Sequence, residues 1–128
     1  MRKNDDERNQ TVFLLAYTVL HTVLLKMGEH MYYIYRASEF CDWFDNETEK
    51  ARVQIDDRLS RIQDDEYFGD YKSVSDDNEV WELRWKNGRR VYFTFIPYKK
   101  ILILLGGNKN GQDKDIRKAK ALCQKYTQ

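Results

Sequence analysis

Alternation of apolar and polar residues is sharpest between residues 81 and 95. In "WELRWK", Trp81, Leu83 and Trp85 fall on one side and Glu82, Arg84 and Lys86 on the other; in "RVYFTF", Val91, Phe93 and Phe95 oppose Arg90, Tyr92 and Thr94. Strict period-two alternation predicts a pair of half-buried strands. The turn between them decides the register. A two-residue Asn87-Gly88 loop would pair Trp85 with Arg90 and mix the two faces. A three-residue loop, Lys86-Asn87-Gly88 with a left-handed Gly88, keeps them apart. That register sets Leu83 opposite Val91, Trp81 opposite Phe93, and Arg84 opposite Arg90. The hairpin then has one apolar face and one cationic face.

The flanking segments follow the same logic. "YYIYR", residues 32–36, is aromatic and β-branched and predicts a first strand. Ser38 is placed to cap a short helix through "EFCDWFDN". Ala51, Ile55, Leu59 and Ile62 recur at helical spacing and predict a longer helix. "DDEYFGDYKSVSDDNE" reads as a long connection, and "IPYKK" as a turn into "ILILLGG", a strand buried on both sides. A last helix from about Asp113 to Tyr126 buries Ile116, Ala119, Leu122, Cys123 and Tyr126. The order β-α-α-β-β-β-α predicts an α+β domain over residues 31–128: a mainly antiparallel four-stranded sheet with its helices packed on one face. The other face, carrying Arg84, Arg90, Tyr92 and Thr94, is then expected to stay open.

Residues 1–30 stand apart as an N-terminal extension. Their apolar run, residues 12–25, is 14 residues long, against the ~20 that a membrane span needs. The preceding "MRKNDDERNQ" balances three cations with three acids, unlike the basic start of an export signal. Three readings stay open: an extra helix, a membrane or export segment, or a start codon placed upstream of a functional start at Met27 or Met31. The expectation is a cytoplasmic chain without a membrane span.

Charge changes the picture. The net charge is +1, but residues 81–128 hold twelve Lys and Arg against three acids, a net of +9, and residues 1–80 hold ten against eighteen, a net of −8. Such segregation suits either a polyanionic partner or mutual attraction of the two halves. The two cysteines, Cys41 and Cys123, make neither a disulfide framework nor a zinc site and fit a reducing compartment. Both histidines, His21 and His30, precede Met31. Residues 31–128 therefore lack Ser-His or Cys-His catalysis and histidine metal sites, so neither metal nor cofactor is expected.

The run "ELRWKNGRRVYF" followed by "ILILLGGNKNGQDKDIRKAKAL" resembles the addiction-module killer proteins of the RelE/ParE superfamily, in the HigB-like, phage-Gp49-like branch. The resemblance rests on Glu82-Leu83-Arg84, Arg90-Val91-Tyr92, Gly106-Gly107, Lys109, Gln112 and Asp115-Ile116. Upstream, "FGDYKSV" and "MYYIYRASEFCDWFD" are similar to the family's connection and N-terminus. It implies the toxin of a type II toxin–antitoxin pair, held by a neighbouring antitoxin that commonly carries a helix-turn-helix domain. Many RelE and HigB relatives cleave mRNA on the ribosome; ParE relatives poison DNA gyrase; some members have no established activity.

RNA cleavage of this kind has a ribose 2′-hydroxyl attack the adjacent phosphate. Fixed cations best stabilise the charge that gathers on the phosphate oxygens. Arg84 and Arg90 are candidate catalytic cations, Arg90 at the position where the family commonly has a catalytic Arg. Lys109, in a Gly-rich loop ahead of a helix, is a second cation or an acid. Candidate nucleic-acid contacts are Lys86 and Arg89 beside the turn, Tyr92 on the cationic face, and Gln112 and Arg117 at the last helix. Relatives often have a Tyr or His in that helix; Ile116 stands about there, which leaves the general base unassigned.

Overall fold

A computed structural model describes residues 32–128. Everything expected of residues 1–30, including the run over 12–25, the two histidines and the alternative starts, lies outside the described residues. The elements are β1 (Tyr33–Arg36), α1 (Ser38–Asp45), α2 (Glu49–Asp65), β2 (Tyr71–Ser73), β3 (Trp81–Arg84), β4 (Arg89–Ile96), β5 (Lys100–Asn108), a 3-10 turn (Lys109–Gly111) and α3 (Gln112–Thr127).

The predicted hairpin register holds. Leu83 pairs with Val91, Trp81 with Phe93 and Arg84 with Arg90. Trp85 N–H donates to Arg89 O at 3.0 Å and Gly88 N–H to Trp85 O at 3.1 Å, closing a three-residue loop. Gly88 sits at φ +98°, where a side chain would be strained. The helix starts follow local chemistry as well. The Thr48 hydroxyl accepts from Ala51 N–H at 3.1 Å and caps α2. Ser38 does not cap α1: Ala37 occupies that position, and Ser38 is already the first helical residue.

Two parts of the expected architecture are corrected. The sheet has five strands in the order β1-β5-β4-β3-β2, with β1 parallel to β5 and the remaining pairs antiparallel. The additional strand, Tyr71–Ser73, lies within the segment read as a connection. It is three mostly exposed residues without apolar alternation, and only pairing with β3 makes it a strand. The helices also do not share one face. Phe40 of α1 and Ile55, Leu59 and Ile62 of α2 bury against Leu83, Val91, Phe93, Ile101 and Ile103. On the opposite face Ala119, Leu122 and Cys123 of α3 pack on Val80, Tyr92, Leu102, Leu104 and Leu105. At about 1.5–3 kcal/mol for each large side chain buried, leaving that second apolar layer in water would be costly. The last helix therefore closes the face expected to be open.

A β-bulge sets what reaches each side near the site. Phe93 pairs with Ile103 and Tyr92 with Leu105, so Leu104 is an extra residue. Beyond it, Gly106 pairs with Val91 and Gly107 with Arg90. A Cβ on Gly106 would lie 2.1 Å from the Trp43 ring of α1, and one on Gly107 would lie 2.1 Å from Asp115 Oδ2 of α3. The two glycines admit one helix to each face. Among the described residues, no helix is long and apolar enough to cross a membrane.

Candidate functional site

Arg84 and Arg90 converge as the register requires, and they converge on a carboxylate. Glu82 lies two residues before Arg84 on the same strand face and diagonally across from Arg90. Its side chain is fully buried. Glu82 Oε1 lies 3.1 Å from Arg84 Nε and 3.6 Å from Arg90 Nε. Its Oε2 accepts from Gln112 Nε2, at the start of α3, at 2.8 Å. The like charges set opposite each other in the hairpin are thus compensated from within the protein. Like charges directly opposite one another are destabilising, and Glu82 supplies the counter-charge.

The two guanidinium groups differ in access. Arg90 is nearly buried, and its Nη1 donates to Trp85 O at 3.1 Å and Arg89 O at 2.9 Å. The Arg84 side chain keeps 30% exposure. Its contact to Glu82 runs through Nε, and among the described residues no hydrogen bond engages its terminal nitrogens. Four polar atoms in this cluster are buried without a well-aligned hydrogen bond: Glu82 Oε1, Arg84 Nε, Arg90 Nε and the Tyr92 hydroxyl. The pairing is therefore mainly electrostatic.

Tyr92 shares the face of the arginines but is fully buried. Burial, and then the negative charge of Glu82, push its hydroxyl well above the usual phenol range. The expectation that Tyr92 contacts nucleic acid is corrected by α3, which packs over it. Gln112, expected as a nucleic-acid contact, is the clamp on Glu82.

The remaining candidates divide between two sides of the hairpin. Arg89 points away from Arg90, as alternation demands. Its Nη1 donates to Gln54 Oε1 of α2 at 3.1 Å, and its guanidinium lies 5.6 Å from the Trp85 ring. Lys86 is exposed and borders a groove of about 460 Å³ with Arg58, Arg61, Tyr67 and Trp85. The exposed Lys109 runs along the turn: a Cβ on Gly88 would be 3.3 Å from its Cγ and Cδ, and its N–H donates to Gly88 O at 2.8 Å. Arg117 is exposed on α3.

Three residues that sequence reasoning did not assign prove central. Glu82 was visible only as a same-strand neighbour of Arg84. Arg58 of α2 is half-buried, and its hydrogen bonds all go to backbone carbonyls. It donates to Phe68 O at 3.1 and 2.8 Å, to Asp70 O at 2.6 Å and to Arg84 O, and lies 4.4 Å from the Trp85 ring. Burial lowers its pKa from the usual guanidinium value. In the sequence it looks like one more charge on a solvated helix face. Asp115, half-buried over Gly107, has its carboxyl pushed upward by burial against the opposing pull of Lys118 and Lys114. Among the described residues, no group of His, Cys, Asp and Glu is arranged to hold a metal ion.

This fold and site can be set beside known proteins. The family of phage-derived Gp49-like proteins (DUF891) matches residues 42–125, and the chain belongs to that family. A protein of Haemophilus influenzae, described as uncharacterized, is 42% identical over 77 residues, covering 59% of this chain and 75% of that one. A free-state mutant of the E. coli toxin RelE shares the fold with a TM-score of 0.58 at 10% identity, over 77% of this chain and all of that one. The isolated E. coli RelE toxin gives 0.52 at 11% identity, over 67% and 96%. The toxin–antitoxin complex RelBE2 of Mycobacterium tuberculosis gives 0.50 at 7% identity, over 61% and 91%. At these identities the likeness is one of fold, and the fold is RelE-like, as the resemblance implied.

Proposed function

We propose that the chain is the toxin of a toxin–antitoxin pair and that it cleaves mRNA on the ribosome by attack of a ribose 2′-hydroxyl on the adjacent phosphate. Membership of the Gp49-like family and the RelE-like fold support the first part. The observation that carries the second is Arg84: a guanidinium held by Glu82 through Nε, with its terminal nitrogens turned toward water at the open end of a strongly basic hairpin. A planar fork held on one edge is preorganised to bind phosphate with the other. Arg90 stands behind it, adding positive potential and fixing Glu82. Lys109 and Lys86, exposed on either side of the turn, hold the flanking backbone, and Arg89 and Arg117 extend the cationic surface. An antitoxin would neutralise the toxin most directly by laying an acidic segment over Arg84.

The test is induced expression with mapping of new mRNA 5′ ends, alone and with the neighbouring antitoxin gene. Growth arrest with new 5′ ends inside coding sequence is expected. Arg84→Ala should abolish both while the chain still folds and binds antitoxin, at a lower melting temperature because Glu82 loses its nearer partner; Arg84 suits this better than Arg90, whose burial ties it more closely to folding. Arrest accompanied by DNA damage and intact transcripts would instead indicate a gyrase poison and overturn the proposal, as would expression without any effect on growth.

A further inference from the structure

The cleavage reading leaves one role vacant. A base must take the 2′-hydroxyl proton, and residues 32–128 contain no histidine. The carboxylate nearest the arginines, Glu82, has one oxygen held by Gln112 and the other between two guanidinium groups. The Tyr92 hydroxyl is buried.

Sheet geometry points elsewhere. Arg84, Arg90 and Gly107 are consecutive cross-strand partners and form one row on the face covered by α3. Gly107 contributes no side chain, and its place in the row is taken by a residue of the helix: a Cβ there would be 2.1 Å from Asp115 Oδ2. Neighbouring Cβ positions in an antiparallel pair are about 4.5–5.5 Å apart, so the Asp115 carboxyl fills the place beside the Arg90 Cβ, while the Arg90 guanidinium turns toward Trp85 O and Arg89 O. Gly111, whose own Cβ would be 3.5 Å from the same oxygen, leaves room on the other side. Gln112 and Asp115 are three apart, on one face of α3, and so reach Glu82 and Gly107 together. Unlike that of Glu82, the Asp115 carboxyl makes no hydrogen bond or ion pair within 4 Å among the described residues, and the residue is half-buried rather than sealed. A carboxyl in this place is cradled by two glycines, in line with the two arginines of the row, and free to exchange a proton.

We infer that Asp115 is the general base of the cleavage site, an inference that rests on the RNA-cleavage reading above. Its carboxylate takes the 2′-hydroxyl proton as the 2′-oxygen forms its bond to phosphorus. The bond from phosphorus to the 5′-oxygen breaks, that oxygen keeps the electron pair, and it takes a proton from water. The products are a 2′,3′-cyclic phosphate and a 5′-hydroxyl, and the Asp115 carboxyl returns its proton to solvent. The upward push that burial gives this carboxyl makes it a stronger base when ionised. The charged and titratable groups that act on it are Lys114 and Lys118 from its own helix and Tyr92 from β4; Arg90 of β4 is the next position in its row, and Glu82 of β3 lies beyond Gln112.

The experiment is single-turnover cleavage of ribosome-bound mRNA by the full chain across pH. The wild-type rate should rise with pH through the ionisation of one carboxyl, and Asp115→Asn should slow cleavage by about 10²-fold or more and erase that rise. An Asp115→Asn protein that cuts within about threefold of wild type with the rise intact overturns the inference and leaves the cleavage reading standing. If the amide variant melts early, Asp115→Glu decides: the rise should persist with a displaced midpoint, and an unmoved midpoint overturns the assignment. A wild-type chain that cuts nothing, or leaves no cyclic phosphate, removes the cleavage reading and this inference with it.

Discussion

Replacing Glu82 by Gln tests the electrostatics of the site directly. The substitution keeps the shape and an oxygen for Gln112 to reach, and it removes the negative charge that stands 3.1 Å from Arg84 Nε and 3.6 Å from Arg90 Nε. Breaking a buried ion pair by removing one partner costs about 3–5 kcal/mol. Arg84 retains 30% exposure, so water screens part of the uncompensated charge, and about 2–3 kcal/mol is the appropriate expectation. Unfolding entropy near 0.2 kcal/mol/K for a domain of about 100 residues converts this to a fall of roughly 10–15 °C in melting temperature. Calorimetry or thermal circular dichroism measures it. The mechanism makes a second demand: because the damage is repulsion between two cations, adding Arg84→Gln should return at least half of the loss, a coupling that a double-mutant cycle isolates. A Glu82→Gln protein melting within about 2 °C of wild type, or a double variant in which the two losses simply add, would refute the view that Glu82 compensates this pair.

Gly106→Ala drives a methyl group into the Trp43 ring, 2.1 Å from the ideal Cβ, and should destabilise by about 1–3 kcal/mol in urea titration. The Glu39 carboxylate accepts from the Tyr126 hydroxyl at 2.6 Å, which holds its pKa down at about 2. A depressed pKa contributes stability that is present above about 4.5 and lost as pH falls toward 2, so Tyr126→Phe should lower stability at pH 7, flatten the stability–pH curve in that window and change little near pH 2; an unaltered acid limb would count against the clasp. Arg58→Ala removes the donor to the carbonyls of Phe68, Asp70 and Arg84 and should cost about 2–3 kcal/mol. Hydrogen exchange should locate that loss at residues 66–71 and the end of β3, with α3 protected as before.

The sequence by itself determined what depends on periods and turns. Two-residue alternation on either side of Lys86-Asn87-Gly88 allowed one register in which Arg84 meets Arg90, because any slip would carry Leu83 and Val91 off the core face. Four-residue spacing marked Ala51, Ile55, Leu59 and Ile62, all buried. The combined pattern of the hairpin, the paired glycines and the last helix pointed to the family.

Only the tertiary structure decided what depends on a second element arriving. β2 is a strand because the edge of β3 offers it hydrogen bonds, a fact about a distant segment. The face of the hairpin looked cationic because its arginines lie near the turn; farther from the turn the same face is Tyr92, Thr94 and, across the ladder, Leu102 and Leu104, enough apolar surface to bring α3 down upon it. That one packing event buried Tyr92, set Gln112 on Glu82 and delivered Asp115 to the gap left by Gly107. Local pattern fixes which residues share a face; what covers that face follows from the balance of burial energies over the whole chain, which no single segment contains.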